Sequence, residues 1–136
     1  AGDRGAATAG DRGAATAGYR GAATAGDSGA ATAGACGAAT AGACGAATAG
    51  DSGAATAGDR GAATSRGAVT VGKNGVGTVR GDYVKIRGGI GAFLSIAIEN
   101  YTNSDIKEHK TFVIDAETYK PDTWYTLKNG EIVEAE

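Results

Sequence analysis

The first 64 residues are one eight-residue unit written eight times without a gap: AGDRGAAT, AGDRGAAT, AGYRGAAT, AGDSGAAT, AGACGAAT, AGACGAAT, AGDSGAAT, AGDRGAAT. Six positions never change and only the third and fourth vary, so the unit fixes a backbone shape and leaves two side chains free. A period of eight matches neither the 3.6-residue helical turn nor a heptad, and each glycine would cost a helix about 1 kcal/mol relative to alanine. Collagen needs glycine at every third position with abundant proline, whereas the only proline here is Pro121. What remains is a short extended run, A-A-T-A, closed by a G-x-x-G turn. That pattern predicts an all-β, two-sheet solenoid with one strand and one corner per unit.

Two units then make a coil of about sixteen residues, and the eight units make about four coils, stacked about 4.8 Å apart. The inward face follows from the degenerate copy Ala68-Val69-Thr70-Val71, because the enlarged apolar groups belong inside. Strand alternation places Ala7, Ala9, Ala15, Ala17 and their equivalents in the core. It places Thr8, Thr16, Thr24, Thr32, Thr40, Thr48, Thr56 and Thr64 in outward rows. Burying a methyl yields about 0.8 kcal/mol, less than the cost of ordering a residue. Continuous backbone ladders, close contact between the sheets and covered ends are therefore needed as well. Octapeptides from several intertwined chains would bury the same alanine rows, and the repeat alone does not choose between the two arrangements.

The chain starts on the first residue of a complete unit without an initiator Met, as expected of a trimmed product. The first coil is then expected to present a bare sheet edge that stacks on another copy or on preceding residues. The variable pairs sit at the corners. Arg4, Arg12 and Arg60 are each preceded by an aspartate, Asp3, Asp11 and Asp59, so no basic stripe for nucleic acid arises. Cys36 and Cys44 fall on opposite edges of a sixteen-residue coil, beyond the roughly 7 Å Cα limit of a disulfide. They read as free thiols in tight turns or as interchain contacts. With His109 the only histidine and no zinc spacing, neither a metal nor a cofactor is expected.

Residues 65–91 read as degenerate coils that widen the rod. Val84 and Ile86 have the opposite phase to Val69 and Val71, which calls for a register shift or bulge near Gly81 or Gly88. Residues 72–78, GKNGVGT, share the outer glycine spacing of a phosphate loop but carry Thr78 where its lysine belongs. Arg80-Gly81-Asp82 spells an integrin-type tripeptide and reads as a turn, and residues 88–91 read as a flexible transition. Residues 92–136 read as a small β cap. It has a buried strand at Phe93, Leu94, Ile96 and Ile98, another strand at 111–114, and a hairpin across Asn129-Gly130 with Lys128 facing Glu131. Residues 101–110 read as a polar loop holding a solvated His109, and Trp124 as the core anchor of the cap.

The tail from Asp122 to Glu134, DTWYTLKNGEIVE, placed after Gly/Ala/Thr octapeptides, resembles a family of phage- and gut-bacterium-encoded repeat proteins ending in a domain of unknown function. That resemblance implies a repeat rod with a C-terminal cap, often preceded by a further domain, and no catalytic residues. The repeats alone are similar to the β-roll heads of trimeric autotransporter adhesins.

Catalysis needs convergent titratable groups, and the repeats offer none. The expected function is that of a non-enzymatic structural rod that self-associates end to end into a fibre or surface appendage. The alternative is a surface-binding module for adhesion or for ice, using the outward Thr rows. The expected partners are further copies of the chain, as oligomer or filament, with a host surface or glycan in the alternative. Neither nucleic acid nor a membrane span is expected, and the setting is extracellular, on a virion or on a cell surface.

Overall fold

The structure, a computed structural model, describes residues 2–100, 103 and 105–135. It is a β-solenoid of about six turns with about sixteen residues per turn. The repeats supply β1 (Ala6–Ala9), β2 (Ala14–Ala17), β3 (Ala22–Ala25), β4 (Ala30–Ala33), β5 (Ala38–Ala41), β6 (Ala46–Ala57) and the start of β7 (Ala62–Val71). Then come β8 (Val76–Gly81), β9 (Lys85–Gly88), β10 (Phe93–Glu99), β11 (Ile106–Val113), β12 (Tyr125–Lys128) and β13 (Glu131–Glu134).

Strands two units apart pair in parallel, so alternate units build opposite faces. The first face runs β1, β3, β5, the end of β6, the end of β7, then β9. The second runs β2, β4, the start of β6, the start of β7, β8, then β10. A single chain completes each coil. Between the faces lie the alanines expected there, among them Ala15, Ala23, Ala31, Ala39, Ala47 and Ala55, all buried.

The corner chemistry explains which positions of the unit are fixed. Each corner is a four-residue turn closed between its glycines, as in Gly21 N donating to Gly18 O at 3.0 Å. Its third residue is left-handed in every repeat, with φ of 58° at Arg4, 61° at Ser28, 60° at Cys36 and 60° at Arg60. The glycines are required for a different reason, the closeness of the next coil. A Cβ on Gly21 would sit 2.6 Å from Gly5 O, and one on Gly26 would sit 2.4 Å from Asp11 Oδ1.

Below the regular block the coil length changes. Fourteen residues separate Ala54 from its partner Ala68, and seventeen separate Ala68 from Lys85. In the short corner the buried Ser65 replaces the lost turn, its Oγ donating to Gly53 O at 2.8 Å and accepting from Gly67 N at 3.1 Å. The odd length of the next coil provides the phase change expected near Gly81, and it brings Ile86 beside Val69 with both fully buried. Bulk is accommodated in part by missing methyls. A Cβ on Gly77 would lie 3.0 Å from both Ile86 and Val69 and 3.1 Å from Leu94. Residues 72–75 and 89–92 are further corners of the same type, closed by Gly75 N to Gly72 O at 3.3 Å and Ala92 N to Gly89 O at 3.1 Å. Residues 88–91 thus form a built corner rather than a flexible transition.

The cap covers both sheets. β11 adds antiparallel to β10, and the β12–β13 hairpin adds to β9 through Tyr125 opposite Ile86. Asn129 (φ 51°) and Gly130 (φ 78°) are both left-handed, as a type I′ turn requires, and Lys128 faces Glu131. The expected loop over 101–110 is corrected, because Ile106–Val113 is a strand and His109 lies opposite Ala97, exposed on that strand. Tyr101, Thr102 and Ser104, the rest of that expectation, lie outside the described residues. The aromatic core is Phe112, Tyr119 and Tyr125, with ring centroids 4.7 to 5.7 Å apart. Trp124 is only half-buried, one residue out of phase with Tyr125, and its ring carries Lys85 Nζ at 4.4 Å and Arg87 Cζ at 4.5 Å.

Candidate functional site

The most regular surface feature is a pair of threonine ladders. On the first face Thr8, Thr24, Thr40, Thr56 and Thr70 stand in direct register. The row then ends on Arg87, whose Nε donates to Thr70 Oγ1 at 3.2 Å. On the second face Thr16, Thr32, Thr48, Thr64 and Thr78 continue into Ser95 and Thr111. All eight threonines singled out from the repeats point outward; Thr56 alone is half-buried.

Beside each ladder runs a second row two residues away along the strands. On the first face it is Ala6, Ala22, Ala38, Ala54 and Ala68, ending in Lys85. On the second it is Ala14, Ala30, Ala46 and Ala62, ending in Val76, Phe93 and Val113. Those last three side chains are 47–48% exposed. The second face therefore presents seven strands whose two outer rows hold no charge, an array roughly 29 Å long at about 4.8 Å per strand. The first face ends in a basic corner stacked on Trp124.

The corners carry the charge. At the third position of the unit, aspartate is a staple between coils. Asp11 Oδ1 accepts from Asp27 N at 3.2 Å, Asp27 Oδ1 from Ala43 N at 3.1 Å, and Asp59 Oδ1 from Lys73 N at 3.0 Å. Cys36 and Cys44 occupy the left-handed position of opposite edges, both exposed and free. Farther along the edge that holds Cys36, the Glu99 side chain, 3% exposed, is bound by Arg66 Nη2 at 2.5 Å and by Arg80 Nε. Arg66 Nε also meets Asp51 at 2.6 Å. On the cap, Asp115 Oδ1 accepts from Tyr119 N at 3.0 Å and Glu117 N at 2.9 Å, and these bonds hold its carboxyl below the ordinary aspartate range.

The residues singled out from sequence are not brought together. The threonines form two separate rows, the cysteines lie on opposite edges, and Trp124 sits on the cap beside the first face. Among the described residues no three His, Cys, Asp or Glu side chains group as metal ligands, and no helix is long and apolar enough to cross a membrane. Sequence reasoning passed over the Asp staples; the available signal was the return of aspartate at the third position of five of the eight units. The expected burial of Phe93 is corrected, because strand alternation turns Leu94 and Ile96 inward and leaves Phe93 on the outer row beside Val113, which sequence reasoning also missed there.

This geometry defines the chain as a β-solenoid. No protein-family model, curated protein or solved structure matches it.

Proposed function

We propose that the chain is a non-enzymatic structural rod that self-associates side by side through its second face, building a fibre or surface appendage outside the cell or on a virion. The observation that carries this reading is the row Ala14, Ala30, Ala46, Ala62, Val76, Phe93 and Val113, exposed and without a charge on it or on the Ser/Thr row beside it. A contiguous exposed apolar strip of this kind marks an interaction surface, and a flat neutral face meets its own copy without like-charge repulsion. Lateral contact suits this chain better than the end-to-end joint expected from the repeats. The outermost strands of the cap carry Lys107, Glu108, Lys110, Glu131 and Glu134, and charged edges resist addition of a further strand. Electron microscopy paired with mass in solution tests the proposal. Oligomers or filaments that disperse in a Val76→Lys, Phe93→Lys variant support it; a monodisperse monomer at every concentration overturns it.

The in-register hydroxyl ladders favour a second reading, binding to an ordered surface such as ice. Thermal hysteresis that is lost in a Thr32→Lys, Thr48→Lys variant would support it, and no hysteresis in the unaltered chain would exclude it.

A further inference from the structure

The corner between β8 and β9 belongs to the coil that is one residue longer than the regular ones, and it projects Tyr83, which is 89% exposed. The backbone beneath that ring is firmly held. Val84 is buried, Tyr83 N donates to Asp82 Oδ1 at 3.0 Å, and Thr126 Oγ1 of the hairpin donates to Val84 O at 2.8 Å. Tyr19, on the same edge, has the guanidinium of Arg20 over its ring at 5.0 Å. No ring or cation covers Tyr83 among the described residues. Hollows open on both of its sides. One of about 870 Å³ runs between the corner and the hairpin, with an apolar floor that includes Val84 and Leu127 and a rim of Asp82, Lys128 and Glu134; Lys85 also lines it, its ammonium lying over Trp124. The other, about 580 Å³, reaches Lys107.

We infer that Tyr83 is the platform of a binding site for a neutral saccharide chain. An uncovered aromatic face with a negative quadrupole suits the C–H face of a pyranose ring. Along the two hollows the Asp82 and Glu134 carboxylates balance the Lys107 and Lys128 ammonium groups, while Lys85 is engaged on Trp124 and Glu99 by its two arginines. The groove therefore offers no excess free charge with which to select an ion, yet it supplies acceptors and donors for hydroxyls on both sides of the ring. An open groove continuing past the tyrosine on either side accepts a polymer rather than an enclosed small molecule. The held backbone reduces the ordering cost of binding. This site is separate from the apolar row of the second face and does not depend on self-association.

The test is electrophoresis of the full chain through gels containing soluble neutral glucan, xylan, mannan or galactan. It is followed by amide-shift titration with the hexasaccharide of whichever polymer retards the chain. At least one polymer is expected to do so, with shifts concentrated in residues 81–84 and 126–128. Tyr83→Ala should weaken binding at least about tenfold without changing the unfolding temperature, since the side chain is exposed. Tyr19→Ala and Phe93→Lys should leave binding intact, which separates this site from the assembly face. Retardation by none of the polymers, retardation that survives Tyr83→Ala, or shifts at this corner caused by an unstructured casein peptide and by no saccharide would each overturn the inference.

Discussion

Arg66 Nη2 donates to Glu99 Oε1 at 2.5 Å across 33 residues of sequence, joining the shortened corner of the solenoid to the last residue of β10. Glu99 is 3% exposed in its side chain, whereas Arg66 and Arg80 are 41% and 46% exposed, so the carboxylate is the buried partner of two half-solvated cations. Replacing Glu99 with Gln leaves both guanidinium groups facing each other. We expect a loss of about 2 kcal/mol or more, read as a lower urea midpoint, with Asp51→Asn costing much less because that carboxylate is exposed.

Coil stacking sets a steric limit at the glycines. Gly21→Ala places a methyl against the Gly5 carbonyl, and overpacking of this kind costs about 1–3 kcal/mol. Thermal unfolding should show the loss, while Gly2→Ala, where nothing lies within 4 Å, should not.

The left-handed corner residues are strained in the opposite sense, since asparagine tolerates that conformation better than cysteine. A Cys36→Asn, Cys44→Asn double variant is expected to unfold at a higher temperature than the unaltered chain under reducing conditions. An unchanged or lower midpoint would contradict the strain argument.

The aspartate staples can be removed or added. Asp27→Ala should destabilise by about 1 kcal/mol through loss of the bond to Ala43 N. Ala35→Asp, placed where the stapling carboxylate is absent, should offer Asp51 N an acceptor and raise the midpoint. Paired denaturation curves of the two variants check both signs.

Asp115 gives the cap a pH response. The Tyr119 and Glu117 amides bind its ionised form and lower its pKa in the folded state. The stability it adds is therefore present above the unfolded aspartate value and is lost as pH falls through the depressed one. Carbon-detected titration of the carboxyl should find it below the ordinary range, and an unshifted value would refute the turn's role.

The rod was legible because its alternation is uniform. Ala15 and Thr16 sit where period-two reasoning puts them, and Asn129-Gly130 turns as its chemistry demands. The end of β11 was legible as the strand expected at 111–114, but its start was not: from Ile106 to Lys110 this edge strand is largely solvated on both faces, so no apolar alternation marks it and Ile106-Lys107-Glu108-His109-Lys110 reads as polar loop. Trp124 misled because size ranks candidate anchors, whereas strand phase decides burial and here selects Tyr125. The ladders were foreseeable as rows of Thr. Their extension into Ser95, Thr111, Phe93 and Val113 was not, since it depends on a coil of seventeen residues and an antiparallel partner.

Because each unit is half of a coil, the copy number of the repeat has a parity. Inserting or deleting two units lengthens or shortens the rod by one step and leaves every upstream corner on its own side. Inserting one turns the upstream units half a revolution relative to the cap, so Tyr19 would move to the edge opposite Tyr83 while the core stayed unchanged. Recombination between near-identical octapeptides therefore acts as a two-position rotary setting, in which even changes alter length and odd changes also exchange the two sides.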